Sequence, residues 1–323
     1  MTADSAARPG HLDLLAVGRV SVDLYANEAG AGWLDPQTFT KSIGGTATNV
    51  AVASARLGLR AAVYTKVGAD HFGEYVRHKL AGFGVDTRYV VTHPELPTPL
   101  AFAAMDPPED PKLMMYRYPH GPDMMLDADE VSTDDVADAT VFWVTGAWFS
   151  AEPCRSALWE LLRRRQGRPH TVLDLDYRAN FWRDDEAEAR RRLEPVLAHV
   201  TVAVGNRKEC EVAIGTAEPH EAASRLLDAG VQLAIVKMGG DGVLVATPEG
   251  SHVVTPRRVD VVCGLGAGDA FGGSLVHGLV NGWDPVRTVE HANAAGAIVA
   301  GRLLCADAMP TAAEIDDMLG AGS

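Results

Sequence analysis

One stretch of the chain combines residues that could bind an anion with a residue that could accept a proton. It runs from Val261 to Gly273 and reads Val-Val-Cys-Gly-Leu-Gly-Ala-Gly-Asp-Ala-Phe-Gly-Gly. We expect a strand end, a turn through three glycines and then a helix, because Phe271, Leu275 and Leu279 recur every four residues. Glycines let the backbone approach a ligand closely, and the first amides of a helix have no acceptor within it. Together with the helix dipole, these amides favour an anion, and phosphate is the usual one.

The acid in the first turn of that helix, Asp269, does not fit a plain phosphate site, because a bound phosphate would repel its carboxylate. Two interpretations account for it. The carboxylate could complement the helix dipole, as acids in a first turn commonly do. Alternatively, it could be a general base beside an anion hole, which is the arrangement that phosphoryl transfer to a hydroxyl requires.

The size and composition of the chain are those of a globular protein with one large domain or two small ones. It has 323 residues, of which 47% are hydrophobic and 22% are charged. The formal charge of −14 argues against a general nucleic-acid binder and against a protein that binds anionic membranes. An ATP site at this net charge would need Mg²⁺ and backbone amides that point at the phosphates.

Neither export nor membrane insertion is indicated. The first ten residues lack a basic region followed by an apolar core, and the longest strongly apolar stretch, near residues 141–151, is too short to span a bilayer. The four cysteines are widely spaced and form no CxxC pair, which is typical of free thiols in a reducing compartment and indicates no metal site. We therefore expect a cytoplasmic protein without a membrane partner.

Strands and helices alternate along most of the chain. Strands are predicted at 12–20, 61–67, 141–145, 171–175, 201–204, 231–237 and 243–246, and helices at 50–57, 70–80, 151–165 and 288–299. The alternation predicts one α/β domain. It breaks between residues 89 and 125, where two extended runs, 100–105 and 113–118, have no helix between them. These runs predict a hairpin that stands off the main sheet, either as a lid over a substrate pocket or as a surface hairpin without function.

Polar and glycine residues follow the first predicted strand. Asp23 lies just beyond its carboxyl end, where open α/β sheets bind ligands, although it could equally be a solvated loop acid. Gly44 and Gly45 precede the next helix and offer exposed amides, and Asn49 would project from its first turn. A plain junction between loop and helix explains this second pattern nearly as well.

Two later strands are also followed by polar side chains. Asp176 and Arg178 come after the strand at 171–175, where an arginine can clamp a carboxylate or phosphate bidentately. The alternative is a surface ion pair that contributes well under ~1 kcal/mol. Asn206 and Glu209 have the spacing of a capping box, so helix capping alone could explain them.

Two glycine-rich or small-residue segments could border a nucleotide. The turn Gly239–Gly242 joins two predicted strands and could either contact a ligand or merely turn the chain. The helix at 288–299 carries Asn293 among small residues, which suit close packing or contact with a flat adenine. No P-loop, dinucleotide fingerprint or HExxH motif occurs, so the common alternatives for such glycines are excluded.

In this order and at this spacing, these residues resemble the motifs of ribokinase-type carbohydrate kinases over nearly the whole chain. The resemblance rests on Asp23, on Gly44–Asn49, on Asn206–Glu209 and above all on Gly266–Asp269. It implies a ribokinase-like fold, in which a doubly wound, mostly parallel sheet has helices on both faces and a small β lid. A single α/β kinase domain would then span residues 1–323, with lid segments at roughly 21–43 and 88–122.

The same resemblance implies roles for individual residues. Asp269 would deprotonate the accepting hydroxyl beside an anion hole formed by Gly266, Ala267 and Gly268. The sugar would be held under the lid by Asp23, Gly44, Gly45, Asn49, Arg117 and Arg178. ATP would contact Asp176, Asn206, Lys237, Gly239, Gly240, Gly242 and Asn293 as well as Gly266 and Gly268, and Glu209 would organise Mg²⁺ through water.

Within the family, the run Val172–Trp182 and the stretches Val20–Leu24 and Val262–Gly273 are most similar to kinases that act on keto sugar acids. Tyr116 and Arg117 in the expected lid also resemble those kinases. The implied partners are therefore ATP and a sugar acid, with 5-dehydro-2-deoxygluconate of inositol breakdown favoured. The alternative is 2-keto-3-deoxygluconate or another sugar. A homodimer through the lid is also possible.

One departure from the family pattern concerns a monovalent cation. Many members carry Asp-Thr where this chain has Cys263-Gly264, and that aspartate often helps to hold the cation near the anion hole. The resemblance thus implies ATP and Mg²⁺ but leaves activation by a monovalent cation in doubt. A sugar- or nucleotide-binding protein without turnover is the competing class. Asp269 argues against it, because a binding module has no use for a base that faces a phosphate.

Overall fold

The computed structural model describes residues 10–28, 30–105, 107 and 111–320. Its strands are β1 Leu14–Val17, β2 Ser21–Ala26, β3 Phe39–Gly44, β4 Ala61–Gly68, β5 Val90–His93, β6 Leu100–Ala104, β7 Lys112–Tyr116, β8 Val141–Thr145, β9 Thr171–Asp174, β10 Val202–Asn206, β11 Leu233–Lys237, β12 Val243–Thr247 and β13 Gly250–Val254. Its α-helices are α1 Thr46–Arg56, α2 His71–Gly82, α3 Thr133–Asp138, α4 Cys154–Arg165, α5 Glu186–Leu193, α6 Arg207–Ile214, α7 Pro219–Asp228, α8 Ala267–Val280, α9 Pro285–Ala300 and α10 Ala312–Gly320. None of these helices combines the length and the apolar character that crossing a membrane requires.

A nine-stranded sheet forms the centre of the molecule, in the order β13-β12-β11-β10-β9-β8-β1-β4-β5. Its strands run parallel from β11 to β5, whereas β12 and β13 pair antiparallel at one edge. The chain first builds one side of β1 with β4 and β5 and later builds the other side, beginning with β8. The strand order therefore reverses between β1 and β8, and open α/β sheets bind ligands at the carboxyl ends of strands beside such a reversal.

Helices cover both faces of this sheet, as the residues of β1 show. Leu14 and Ala16 belong to a core that also contains residues of α1, α8 and α9. Leu15 and Val17 belong to a second core, with residues of α4, α5 and α7. Successive residues of a strand face opposite sides, so a strand that is apolar on both faces must lie between two layers. The predicted doubly wound, mostly parallel α/β architecture is confirmed.

A second, four-stranded sheet has the order β3-β2-β6-β7. β6 and β7 pair antiparallel, from Leu100 opposite Tyr116 to Ala104 opposite Lys112, so the predicted hairpin is present. Residues 106 and 108–110 of the connection between its strands lie outside the described residues. β2 follows β1 almost directly, which attaches the small sheet to the centre of the large one.

Two predicted strand boundaries are wrong. The strand expected at 12–20 runs only from Leu14 to Val17, since the chain then leaves the large sheet and enters the small one at Ser21. Gly18 lies in this connection with a φ of 153°, and a β-carbon there would lie 2.8 Å from Oγ1 of Thr145. The strand end expected before the Asp269 helix is absent from the described residues. The amides of Val262 and Cys263 both donate to the carbonyl oxygen of Ala300, at 2.8 and 3.1 Å, so this segment pairs with the end of α9.

Candidate active site

The two glycine-led helices predicted to carry the site meet beside the reversal of the sheet. Asn49, in the first turn of α1, donates a hydrogen bond from Nδ2 to Oδ2 of Asp269 at 2.7 Å. Asn49 is only 3% exposed. Its amide group thus fixes the orientation of the Asp269 carboxylate from a separate helix.

The start of α8 exposes backbone amides that could bind an anion. Gly266 caps the helix with a φ of 82°, and a β-carbon there would lie 2.7 Å from Sγ of Cys305. Only glycine satisfies both conditions. Helical hydrogen bonds run from residue i to residue i−4, so the amides of Ala267, Gly268 and Asp269 have no acceptor within the helix. They point outward at its positive end.

Asp269 has the acidity expected of a general base. Burial raises its pKa from the ordinary value of 3.8 to about 6. The hydrogen bond from Asn49 and the positive charges of Arg19 and Arg178 oppose this rise, whereas repulsion by Asp176 adds to it. A carboxylate with this pKa is largely ionised at pH 7, yet it accepts a proton more readily than an ordinary aspartate does.

A groove of about 900 Å³ opens beside the first turn of α8. Among the residues that line it are Lys237, Gly239, Gly240, Gly242, Ala267, Gly268 and Asn293. The groove thus brings together most of the predicted nucleotide contacts, which come from three separate segments. It is also lined by the loop 256–261, for which the sequence held no signal.

The glycine turn of this groove is required by its backbone. Gly242 has a φ of 95°, and a β-carbon there would lie 2.2 Å from the carbonyl oxygen of Val254. Gly239 has a φ of 63° and has open space where a side chain would be. Across the groove, Nδ2 of Asn293 donates one of its two hydrogens to the carbonyl oxygen of Thr255 at 2.8 Å.

Asn206 and Glu209 form the capping box that was the alternative interpretation of their spacing. The side chain of Asn206 accepts from the amide of Glu209 at 2.9 Å, and Oε2 of Glu209 accepts from the amide of Asn206 at 2.6 Å. Neither side chain lines the groove, and Asp176 does not line it either. Gly266 does not line it either, so the nucleotide contacts of Asp176, Asn206 and Gly266 and the Mg²⁺ role of Glu209 stay predictions, as do the contacts of the residues that line the groove.

Lys237 lies between the groove and a group of carboxylates. Burial alone would lower its pKa, but the nearby charges of Glu209, Asp174 and Asp269 raise it on balance. Its Nζ is 3.5 Å from the position that a β-carbon of Gly268 would occupy. Asp174 was not predicted, although it ends β9 and is 7% exposed. Burial raises the pKa of Asp174 well above its usual value, while Lys237 opposes that rise.

Asp23 and the two glycines opposite it fit together closely. Oγ of Ser21 donates to one Asp23 oxygen at 2.6 Å, and the hydroxyl of Tyr25 donates to the other at 3.2 Å. A β-carbon on Gly44 would lie 1.9 Å from Oδ2 of Asp23, so the carboxylate occupies the space that any other residue would fill. Gly45 precedes α1 with a φ of 104°. Burial raises the pKa of Asp23.

Two arginines are linked through Thr46 and Asp176. Nε of Arg178 donates to Oδ1 of Asp176 at 2.8 Å, and Oγ1 of Thr46 donates to the second oxygen at 3.1 Å. Thr46 in turn accepts from Nη2 of Arg19 at 3.0 Å. Asp176 is buried at 3% exposure, whereas 39% of the Arg178 side chain remains exposed. The pair is therefore not a simple surface ion pair, and Arg178 stays accessible to a ligand.

A third arginine, Arg117, is anchored at the edge of the same cluster. Its Nη2 forms an ion pair with Oδ1 of Asp123, a side chain that is fully buried. Its guanidinium lies over the rings of Trp148 and Phe181, at 5.6 and 5.3 Å from their centroids. The second oxygen of Asp123 accepts from the amide of Val20 at 3.0 Å, which joins Arg117 to the residue after Arg19.

Three residues of this cluster were missed by the sequence-based reasoning. Arg19 lies two residues beyond the end of β1, so the strand-end argument that indicated Asp23 would have found it only if the strand, predicted at 12–20, had been ended at Val17. Thr46 and Asp123 carry no comparable signal. Thr46 is an ordinary residue type for the first position of a helix, and Asp123 lies in a segment without a periodic pattern of apolar residues.

The position of the family's cation-binding aspartate is occupied here by a buried thiol. Cys263 belongs to a small apolar cluster with Tyr25 and Cys305, and it is fully buried. The hydroxyl oxygen of Tyr25, whose one hydrogen is donated to Asp23, lies 2.8 Å from Sγ of Cys305. Burial raises the pKa of Cys263, so its thiol carries no charge at neutral pH.

Similarity to known proteins extends over nearly the whole chain. The model of the pfkB family carbohydrate kinases matches residues 12–312. The 5-dehydro-2-deoxygluconokinase of Geobacillus thermodenitrificans is 31% identical over 317 residues, which cover 95% of this chain and 93% of that protein. The 5-dehydro-2-deoxygluconokinase 2 of Bacillus cereus is 32% identical over 314 residues, which cover 94% and 93%.

The fold is shared with solved sugar kinases. A fructokinase from Xylella fastidiosa with bound ATP has a TM-score of 0.82 at 24% identity, covering 96% of this chain and 98% of that one. The resemblance recognised from the motifs is thereby confirmed, as is the ribokinase-like architecture that it implied. The chain belongs to the pfkB family of carbohydrate kinases.

Proposed function

We propose that this protein transfers the γ-phosphoryl group of ATP to a hydroxyl group of a keto sugar acid, with 5-dehydro-2-deoxygluconate as its substrate. The observation that carries the proposal is the position of Asp269 between two unlike sites. The glycine-lined groove begins at its helix turn. On the other side, the charges of Arg19 and Arg178 act on its carboxylate, and Asn49 orients it.

The proposed step is an in-line displacement at phosphorus. The hydroxyl oxygen of the sugar acid forms a bond to the γ-phosphorus while the bond from that phosphorus to the β–γ bridging oxygen breaks, and ADP leaves. Asp269 accepts the proton of the attacking hydroxyl. The backbone amides of Gly266, Ala267 and Gly268 bind the charged oxygens of the phosphoryl group as it is transferred.

ATP would occupy the groove, with its phosphates toward α8. Gly239, Gly240 and Gly242 would pass close to the ligand because they carry no side chain, and Asn293 would face it from α9. Lys237 would meet the phosphates, since its Nζ lies next to Gly268. Asn206 and Asp176 would act at the border between nucleotide and sugar, where the capping box and the arginine cluster hold them.

Mg²⁺ would arrive with ATP rather than occupy a cage of protein ligands. The described part of the chain holds no group of three His, Cys, Asp or Glu side chains that could bind a metal ion. Mg²⁺ prefers phosphate oxygens and water, supplemented by one or two carboxylates. Glu209 and Asp174, 9% and 7% exposed, are carboxylates near Lys237 that would hold such waters. The ion would neutralise charge on the phosphates.

The charges beside Asp269 support an acidic substrate. A neutral sugar needs hydroxyl partners only, whereas a carboxylate must be paired when it leaves water. The charge of Arg117 acts on Asp23, and Arg178 is linked through Asp176 to Thr46, the residue after Gly45. The names of the two curated relatives support 5-dehydro-2-deoxygluconate in particular. The alternative, 2-keto-3-deoxygluconate, carries the same carboxylate.

The small sheet would act as a lid and as a dimer surface. Its strand β2 carries Asp23, so any movement of this sheet changes the sugar pocket. Large apolar side chains are exposed on it and on its loops, among them Leu34 at 100%, Tyr116 at 54% and Met114 at 40%. Sedimentation should show a homodimer that Tyr116→Asp converts to monomer. A wild-type monomer at assay concentration would contradict this.

A coupled assay of ADP release over a panel of sugars and sugar acids tests the function. We expect the highest kcat/KM with 5-dehydro-2-deoxygluconate, a lower value with 2-keto-3-deoxygluconate and the lowest with fructose and ribose. Faster turnover of the neutral sugars would contradict the substrate while leaving the kinase assignment intact. Binding without turnover of any of these compounds would favour a non-catalytic binding protein.

A further inference from the structure

Among the described residues, Arg19 differs from the other buried arginine, Arg165, in how its guanidinium is hydrogen-bonded. Arg165 is 1% exposed, and its nitrogens donate to Oγ1 of Thr171 and to six backbone carbonyl oxygens. Arg19 is 9% exposed, yet its one side-chain hydrogen bond among the described residues goes to Thr46. Its Nε is buried and has no partner in that part of the chain. The guanidinium nitrogens of Arg165 thus all have acceptors within the protein, whereas those of Arg19 do not.

Arg19 also differs from the two other arginines of the site. Arg178 and Arg117 each have a carboxylate within ion-pair distance, Asp176 and Asp123 respectively. Across the described residues, no carboxylate comes within 4.0 Å of the Arg19 nitrogens, the limit for an ion pair. A buried guanidinium with one unpaired nitrogen and no carboxylate at ion-pair distance is costly. Such a cost is commonly retained where a ligand supplies the missing partner.

The charge of Arg19 lowers the pKa values of three carboxylates in and near the predicted sugar site. Burial raises the pKa values of Asp23, Asp123 and Asp269, and Arg19 opposes the rise at all three. Arg19 leaves the sheet at the carboxyl end of β1, beside the reversal of strand order. Its guanidinium is also linked through Thr46 to Asp176, so Arg19 lies among the charged residues of the predicted sugar site.

The geometry points to Arg19 as the residue that pairs with the carboxylate of the substrate and so selects sugar acids over neutral sugars. This inference rests on the proposed function, because it assumes that the substrate is an acid. The substrate carboxylate would supply the acceptor that Nε of Arg19 lacks and the counter-ion that its charge lacks. Arg178, already paired with Asp176 but 39% exposed, would contact the same carboxylate from the side, and Arg117, paired with Asp123, would flank the ligand.

The test compares two substitutions of Arg19 with one of Arg165. Arg19→Met keeps the aliphatic stem and removes the charge, Arg19→Lys keeps a charge but loses the planar fork, and Arg165→Met removes a buried arginine outside the site. Dissociation constants are measured for 5-dehydro-2-deoxygluconate and for fructose with ADP bound, together with kcat/KM for both. Affinity for a fluorescent ADP derivative reports whether the nucleotide groove is intact.

We expect Arg19→Met to weaken binding of the sugar acid and to raise its KM by about tenfold or more, because a charge-assisted pair is lost. Binding of fructose and of ADP should change little, and kcat should fall less than kcat/KM. Arg19→Lys should recover part of the affinity for the acid. Arg165→Met should leave the ratio of kcat/KM for the sugar acid to kcat/KM for fructose as it is in the wild type.

Two results would overturn the inference. One is an unchanged affinity of Arg19→Met for the sugar acid, and the other is an equal loss for acid and fructose, which would mark Arg19 as structural. If Arg19→Met does not fold, Thr46→Val is used instead, because it removes the hydroxyl that accepts the hydrogen bond of Arg19. The Thr46→Val variant must then lose affinity for the sugar acid but not for fructose. A wild type that prefers neutral sugars would instead contradict the proposed substrate, whatever the variants do.

Discussion

The two sides of Asp269 are built in different ways. The nucleotide groove is shaped mainly by backbone: Gly242 has a positive φ, Gly266 has no room for a β-carbon, and the first amides of α8 point into the site. The sugar side is shaped by charged side chains that pair with one another, as Arg178 does with Asp176 and Arg117 with Asp123. Under the proposed function, one side would thus recognise its ligand through shape and amides, and the other through charge.

This difference predicts different kinds of failure. On the groove side, an added methyl group is the most damaging change, because the backbone there has no alternative conformation. On the sugar side, loss of one charge is the most damaging change, because it leaves a buried partner unpaired. Asp269 belongs to both sides, so its loss should be the most severe of all.

Asp269→Asn should separate chemistry from binding. The side chain is nearly isosteric, and Asn49 remains beside it, so we expect the fold and ATP binding to persist. Without the base, kcat should fall by on the order of 10²–10⁴. Steady-state kinetics with 5-dehydro-2-deoxygluconate, alongside ATP affinity by calorimetry, measure both. A kcat within threefold of the wild type would contradict the role of Asp269 as general base. Its carboxylate would then only complement the helix dipole.

Arg178→Ala should damage the sugar side alone. Loss of a charge-assisted contact costs about 1.5–3 kcal/mol, which corresponds to a factor of roughly 10–150 in kcat/KM for 5-dehydro-2-deoxygluconate. Residual turnover of neutral fructose or ribose should barely change. An equal drop for acid and neutral sugars would indicate general damage, since Arg178 also holds the buried Asp176 through a 2.8 Å hydrogen bond.

How far the sequence predicted the site follows the same division. A backbone that needs glycine shows this in the local sequence, so the site segments Gly266–Asp269 and Gly239–Gly242 could be predicted from the sequence alone. Pairs of charged side chains that are distant in the chain leave no such local signal in the sequence. The hydrogen bond from Thr46 to Asp176 joins residues 130 positions apart, and the one from Val20 to Asp123 joins residues 103 apart. Such pairs follow from the tertiary packing and not from any pattern within a segment.

The same reasoning explains two outcomes near the site. The capping box of Asn206 and Glu209 is a local contact over three residues, so its spacing alone was sufficient to predict it. The strand expected before α8 was wrong because apolar residues such as Val261 and Val262 are typical of strands, although here they are 41% and 44% exposed. Their position depends on the distant carbonyl of Ala300, for which a local pattern gives no evidence.

The pH dependence of activity should report the environment of Asp269. Its pKa is raised to about 6, so the base becomes protonated as pH falls through that value. We expect kcat/KM to drop about tenfold per pH unit below this midpoint. Asn49→Ala should move the midpoint to higher pH, because the Asn49 hydrogen bond holds the pKa down. An acid limb near pH 4 in the wild type would contradict the burial of this carboxylate.

Gly242→Ala should damage the groove side alone. The added β-carbon would meet the carbonyl oxygen of Val254, and the φ of 95° disfavours any residue other than glycine. We expect stability to fall by about 1–3 kcal/mol, with a higher KM for ATP. The preference for sugar acid over fructose should persist, as kinetics with both substrates would show. Gly82→Ala, in the exposed last turn of α2, is the control, since nothing lies within 4 Å of its added carbon.

The smallest effect is expected from the monovalent cation. Hard cations favour oxygen ligands and formal charge, whereas Cys263 offers a buried neutral thiol whose nearest companions include Cys305. Replacing K⁺ by tetramethylammonium at constant ionic strength should therefore change kcat/KM by less than about tenfold. Cys263→Asp should make the enzyme depend on K⁺, because it restores a carboxylate beside the anion hole. A tenfold loss in the wild type itself would show that other oxygens near α8 complete a cation site, and the groove side would then rely on charge as well as on shape.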